Sequence, residues 1–451
     1  MKMSVKMSVL ATAPFRRYGR GLCLAGLIGL AGCTGAEKLL DNLTGGKDEV
    51  LPGQREAVLS SNNRADGESA VASDPIAIPA AVTNPSWSQP GGNASHSLHN
   101  LTLSRDLKRA FSVSAGAGSD GDGRLTASPI VSGGRVYVLD SKAVVRAFSA
   151  SNGGKVWSSS LVPEGKDGDG AYGGGLASDG ARVYATTAFG EIVAMDAGSG
   201  NVLWRSNVGQ PIRSAPTVAD GRVYFTSVAN DAFAYSTADG SQIWRYQGAG
   251  QQASILSSNS PAVSGGYVIV PYTTGDILAL EKSSGFVAWS ESLLGRNANS
   301  SGASINDIAG RPVVADGAVY AISHSGRMAA FGLSDGFERW SVDIGGTQTP
   351  WVAGDYVFVI AGRGTMAAIA RSNGGVRWST NLTGGGVWSG PVVGGGRLLA
   401  VSSKGILASV SPQTGELIKR IDVGEGVFIP PVIANGTVYI LADDGTLLAY
   451  R

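Results

Sequence analysis

The chain has 451 residues, enough for one large domain or two ordinary ones, and 43% of them are hydrophobic against 16% charged, so it can bury a large core. Its 66 glycines follow no three-residue period, which excludes collagen; they fall between apolar runs, as in an all-β chain with many tight turns. Both cysteines, Cys23 and Cys33, lie near the start, so the rest of the sequence has no disulfide, no Cys-based metal site and no thiol nucleophile.

Residues 1–20 carry Lys2, Lys6, Arg16, Arg17 and Arg20 and no acid. Gly21 to Gly32 (GLCLAGLIGLAG) is apolar or small and too short to span a bilayer. A positive stretch followed by a short apolar one predicts an export signal over residues 1–32. It ends Leu30-Ala31-Gly32-Cys33, which resembles the bacterial lipobox and implies that Cys33 becomes a lipidated first residue. Arg16-Arg17 matches the twin-arginine signal poorly at the flanking residues. Removing the five cations of the signal from the 36 Lys and Arg leaves 31 against 35 acids, a net charge of −4. A mildly acidic exported chain is a poor binder of nucleic acid. Thr34 rather than Asp follows the cysteine. By resemblance to enterobacterial lipoproteins, this implies the outer membrane of a Gram-negative bacterium, periplasmic side.

Residues 33–86 read as this lipidated N-terminus and a flexible tether. Glu37–Leu43 (EKLLDNL) predicts two helical turns, and a polar stretch with Pro52, Pro75, Pro79 and Pro85 follows. A flexible tether of n residues reaches on the order of 5 Å × √n.

The remaining residues, 87–451, are organised around a repeated unit, clearest from Ser260 to Trp289 (SPAVSGGYVIVPYTTGDILALEKSSGFVAW). Short β-rich runs at Pro261–Ser264, Tyr267–Pro271, Ile277–Glu281 and from Phe286 are separated by Gly, Asp and Ser, which is a hairpin pattern. One such meander cannot cover its own two faces, so it needs neighbours. The second half recurs as Ala-x-x-x-x-x-Gly-x-x-x-Trp, ending at Trp157, Trp204, Trp244, Trp289, Trp340 and Trp378, and once more with Lys419 in the tryptophan position. The first half recurs as Pro-x-Val/Ile from Pro129, Pro216, Pro261, Pro312, Pro350, Pro391 and Pro431, with Gly175 in place of the proline in the second copy. Eight starts but seven complete endings leave one strand missing. Leu107–Val113 supplies it, with Phe111 in the tryptophan position. The prediction is an all-β, eight-bladed β-propeller of four-stranded antiparallel blades, its ring closed by an N-terminal strand. The six tryptophans are expected to fasten each blade to the next.

These repeats resemble the quinoprotein-type tryptophan-docking repeat over about residues 87–451, with Trp87-Ser-Gln-Pro-Gly-Gly-Asn and Leu107-Lys-Arg-Ala-Phe111 similar to that superfamily's lead-in segment. Two classes share the repeat: pyrroloquinoline quinone dehydrogenases, and the BamB family of lipoproteins that assist outer-membrane β-barrel assembly. The dehydrogenases use Ca²⁺, an Asp base and often a vicinal cysteine pair. No such set is apparent in this sequence. Asp196, Asp220, Asp239 and Asp335 lie in turns beside glycine, where they are expected to cap. Asp120-Gly-Asp122-Gly and Asp167-Gly-Asp169-Gly lack the continuation of a Ca²⁺ loop. His96 and His99 lie in a Gly/Ser/Asn-rich stretch and, like His324, form no ligand motif; they are expected to be solvated, with no metal or cofactor.

The chain is therefore identified as resembling the BamB family. That resemblance implies a non-enzymatic scaffold, which binds a periplasmic POTRA domain of the barrel-inserting subunit alongside other Bam lipoproteins and unfolded clients. The family's contact loops lie on two adjacent central blades, and here Arg245–Ser260 and Ser290–Arg311 are long. In the first, Ile255 and Leu256 match the family's leucines without its arginine. In the second, Asp307 matches the first of two acids, Ala309 replaces the other, and Arg311 follows. The other readings are a quinone-dependent dehydrogenase and a cell-wall polysaccharide-binding lipoprotein, the latter using Trp351 and Trp388. Each of those tryptophans lies beside a blade start, where core packing is expected.

Overall fold

In the computed structural model the described residues are 75–120, 123–169, 173–249, 259–294 and 305–451. Cys33, the export signal, the expected helix at 37–43, Ile255 and Leu256 lie outside them.

The described residues form eight four-stranded antiparallel sheets. Seven are continuous, spanning 130–160, 174–207, 217–246, 262–292, 313–342, 351–381 and 388–422 (blades 1–7). Blade 8 combines 432–450 with the strand Arg109–Ser114 from the other end of the chain. In that blade Phe111 stands opposite Ala449, and Lys108 and Arg451 exchange main-chain bonds of 2.7 and 2.9 Å. The ring is closed by strands from both ends, as the repeat count predicts. Closure leaves no open sheet between the last blade and the first. A single 3-10 turn at Gly362–Gly364 is the one helical element among the described residues. The first strand of each blade lies innermost, against its counterparts in adjacent blades. The fourth is outermost and largely exposed, as in QIWRY of blade 3, where Trp244 alone is buried.

Each of the six tryptophans donates its indole N–H to a carbonyl in the next blade. Trp157 reaches Ala197 O at 3.1 Å, Trp204 Thr237 O at 3.1 Å, Trp244 Lys282 O at 3.1 Å, Trp289 Leu333 O at 2.9 Å, Trp340 Arg371 O at 2.7 Å and Trp378 Pro412 O at 2.8 Å. The ring then lies flat on the glycine of that turn. A Cβ on Gly336, for instance, would come within 2.7 Å of Trp289 Cγ, and the φ of +71° already favours glycine. Burying the indole while satisfying its one polar atom is what lets tryptophan serve here. The sequence pattern misses a second donor: Arg135 bonds the same Ala197 carbonyl at 2.7 Å, and Arg182 and Arg222 repeat this on Thr237 and Lys282.

Lys419 is explained by the same geometry. In blade 8 the third and fourth strands come from opposite ends of the chain, so no glycine turn joins them and a tryptophan in blade 7 has nothing to dock on. Phe111, in the outer strand of blade 8, packs on Gly153 of blade 1, where a Cβ would meet its ring at 2.7 Å. Lys419→Trp is therefore expected to change thermal stability by less than about 0.5 kcal/mol, as a surface substitution; calorimetry checks this.

The tether boundary is corrected. Residues 76–86 are held by the propeller: Ile76 is buried, Asn100 Nδ2 bonds Pro79 O at 2.8 Å, and Val82 pairs with Leu101. From there the chain runs as a belt along the inner strands in blade order. Trp87 exchanges two 2.8 Å main-chain bonds with Val131 of blade 1, and Ser88 O accepts from Ser178 N of blade 2 at 2.7 Å. Gln89 Oε1 accepts from Val218 N of blade 3 at 2.7 Å. Ala94 O and Ser95 O take Val263 N of blade 4 and Val314 N of blade 5, at 2.6 and 2.9 Å. His99 O takes the Trp351 indole of blade 6 at 2.7 Å. Leu101 bonds Val393 and Gly395 of blade 7, and Leu103 bridges Gly436 of blade 8. One short segment thus satisfies inner-edge groups that would otherwise face the central channel.

Candidate partner-binding site

In a meander, the turns after the first and third strands lie on one face of the ring. The turns after the second strand, and the connections to the next blade, lie on the other. The connections 247–261 and 293–312, which hold most of the segments Arg245–Ser260 and Ser290–Arg311 expected to bind a partner, therefore join their blades on one face. Another, 115–129 between blades 8 and 1, is as long as the first of these, and 161–173 is nearly so; neither was anticipated from the sequence. The connection 161–173 carries Lys166 over the Phe189 ring, and Asp169, which pairs with Lys142.

The start of the blade 3–4 connection is fixed by Asp231, a buried carboxylate in the second turn of blade 3. It accepts from Arg245 Nη2 at 2.6 Å, from Gln210 Nε2 at 2.6 Å and from Gly248 N at 3.2 Å. Asn230 adds a bond to Ala249 O at 2.7 Å. At the far end, Asn259 O accepts from Ala215 N at 2.9 Å, and Asn259 Nδ2 reaches Ile308 O in the next connection at 3.3 Å. The blade 4–5 connection starts with Leu293 N on Gly275 O at 2.8 Å. It ends with Asp307 O accepting from His324 N at 2.9 Å and with Arg311 N on Thr349 Oγ1 at 3.2 Å. Both connections are thus tied down at their feet, and they touch each other there.

Burial revises two expectations about contact residues. The Asp307 side chain is only 2% exposed, so it belongs to the foot of the connection and does not present a carboxylate to a partner. Arg311 is half-buried and lines the axial cavity beside His96, Trp87 and Trp351. Burial lowers its guanidinium to about 10. Neither residue shows at the rim, because both lie in the last stretch of the connection before the inner strand Val313–Ala315.

His96 also departs from its expected place. Expected in solvent, it is 1% exposed. Its Nδ1 lies 2.7 Å from Pro312 O and its Nε2 3.3 Å from Ser260 Oγ. Burial pushes it down to about 3, against the bond to Pro312 and helped by the nearby charge of Arg311. The sequence held a weak signal. Gly91 and Gly92 take φ of +80° and +93° and turn the chain tightly, and a Cβ on Gly91 would meet the His96 ring at 2.6 Å. Nothing local points to partners 164 and 216 residues away.

The turn acids behave largely as expected. Asp196 caps Ser199 N at 2.8 Å, Asp239 caps Ser241 N at 3.1 Å and Asp335 caps Phe337 N at 3.0 Å. Asp220 departs from the pattern by pairing with Lys282 of the next blade at 2.7 Å. Trp351 and Trp388 are 4% and 3% exposed, so the aromatic surface proposed for polysaccharide binding is core. Trp351 stacks on Trp87 at 6.0 Å, and Trp388 bonds Leu382 O at 2.8 Å. Among the described residues, no group of three His, Cys, Asp or Glu is placed to hold a metal ion.

The family profile described as outer membrane protein assembly factor BamB matches residues 108–166, 141–380 and 362–451. The outer membrane protein assembly factor BamB of Alkalilimnicola ehrlichii is 31% identical over 198 residues, 44% of this chain and 52% of the relative. The chain spans about half the length of the first curated relatives it matches. Among solved structures, BamB from Moraxella catarrhalis superposes with a TM-score of 0.64 at 19% identity, over 77% of this chain and 100% of that one. Quinohemoprotein alcohol dehydrogenase from Comamonas testosteroni superposes with a TM-score of 0.66 at 14% identity, over 82% and 81%. At such identities the superpositions speak for the propeller alone.

Proposed function

The chain belongs to the family of the outer membrane protein assembly factor BamB, and from that premise we propose that it is a non-enzymatic scaffold subunit of the outer-membrane β-barrel assembly machinery. Anchored by lipid on Cys33 at the periplasmic side of the outer membrane, it binds the POTRA region of the barrel-inserting subunit. Contact is made through the two connections between blades 3, 4 and 5. Ile255 and Leu256 supply apolar contact, and Asp307 and Arg311 hold the second connection from below. The observation that carries this reading is the family match across all eight blades, 108–451. The shared face and joined feet of the two connections support it, because binding loops need a rigid base. Client strands are received by main-chain pairing along sheet edges.

The test is capture from detergent-solubilised membranes using the full-length lipoprotein. The barrel-inserting subunit is expected to co-purify, and its absence would end the proposal. Ile255→Ala with Leu256→Ala is expected to weaken capture about tenfold or more, as for truncated apolar anchors. A quinone-dependent dehydrogenase would instead show dye-linked activity after reconstitution with pyrroloquinoline quinone and Ca²⁺.

A further inference from the structure

We infer that His96 is a positioning residue for the partner-binding face: carried by the belt, its imidazole joins the foot of the blade 3–4 connection at Ser260 to the foot of the blade 4–5 connection at Pro312, and sets how the two stand relative to each other. This rests on the reading of that face as the partner site.

The bond to Pro312 fixes which ring nitrogen carries a proton. A peptide carbonyl only accepts, so the nitrogen 2.7 Å from Pro312 O carries the proton. Burial keeps the ring neutral, so Nε2 offers a lone pair to the Ser260 hydroxyl at 3.3 Å. One neutral imidazole therefore meets a carbonyl and a hydroxyl with its two different ends, a task that neither a lysine nor a carboxylate performs. The two residues before it act in the same place. Ala94 O bonds Val263 N at 2.6 Å and Ser95 O bonds Val314 N at 2.9 Å, three and two residues beyond the feet that His96 holds. Residues 94–96 thus staple the inner strands of blades 4 and 5 and the ends of the connections leading into them. The feet are also bonded directly, Asn259 Nδ2 to Ile308 O at 3.3 Å, so a shift of either one is passed to the other. His96 takes this position with a φ of +59°, where glycine and asparagine are tolerated and bulkier residues strained.

The test uses the full chain carrying His96→Gly, which suits the backbone and leaves an imidazole-shaped space beside the axial cavity that His96 lines. Amide hydrogen exchange is followed without any partner at Ala215, bonded to Asn259 O, and at Ile308, bonded to Tyr272 O. Exchange at both is expected to rise about tenfold or more, to be reversed by millimolar free imidazole, and to stay unchanged at Tyr184 in blade 2. Unchanged exchange at Ala215 and Ile308, or a rise shared equally by Tyr184, overturns the inference whatever the partner. Capture of the barrel-inserting subunit should fall and recover with the same imidazole. If the wild-type chain captures the subunit and His96→Gly captures it equally, the positioning role is overturned. If exchange responds as expected but the wild-type chain captures nothing, the clamp stands and the partner reading fails. His96→Asn, which tolerates the same backbone but cannot span both feet, is the second variant should His96→Gly not fold. It should show the same exchange pattern, without rescue by imidazole.

Discussion

Replacing Trp289 by alanine is expected to lower the free energy of unfolding by about 3–5 kcal/mol, the cost of a large-to-small change at a buried aromatic. The indole bonds Leu333 O at 2.9 Å, lies on Gly336 and packs 6.2 Å from the Phe331 ring, so three features of the next blade lose their cover together. Gly336→Ala should also destabilise, by about 1–3 kcal/mol, since its Cβ would press on the indole and its φ of +71° is strained for alanine. The two changes should not add. With the indole gone, the alanine methyl has room, and the double variant should cost about 1 kcal/mol or more less than the sum of the singles, as for residues in contact. Denaturant unfolding of the four proteins measures this coupling. Strict additivity would show that the tryptophan is not seated on the glycine. Across six blade junctions, this one contact type holds most of the ring, and the closing junction substitutes Phe111 on Gly153.

Acid is expected to weaken the fold through His96. In the folded chain its imidazole is held down to about 3, while an unfolded chain leaves it near 6.5. The unfolded state therefore binds the proton first as pH falls. The contribution of the neutral ring is complete above about pH 6.5 and is lost progressively between there and pH 3, at about 1.4 kcal/mol per unit. From pH 6.5 to 5 this amounts to about 2 kcal/mol, a large share of ordinary stability. Carboxylates also titrate as pH falls, so the quantity to measure is the difference between wild type and His96→Asn. That difference should shrink steadily as pH is lowered from 7 to 5. A difference independent of pH would show that the ring is not held neutral by the fold. Protonating Nε2 would place a charge on a buried ring beside Arg311, so the same acid should also loosen the feet of the two connections that the ring joins.

The sequence by itself determined the blades. Their strands are short runs of apolar residues between glycines, and the partners of each strand are its neighbours in the chain, so pattern and pairing are both local. The repeat count then required a closing strand, and the tryptophan-to-glycine spacing recurred often enough to mark the fasteners. Lys419 was visible as an exception, but its reason lay in blade 8, whose outer strand is borrowed from the other end of the chain. Only the tertiary structure decided what lies at the centre. The belt from Trp87 to Leu103 has no repeat of its own, and its contacts run to all eight blades. His96 reads as a loop residue because its burial depends on groups 164 and 216 residues away, which meet only after the ring has formed. Asp307 and Arg311 look like exposed loop residues for the same reason: the fold draws the end of their connection down into the wheel, and linear spacing carries no trace of that descent.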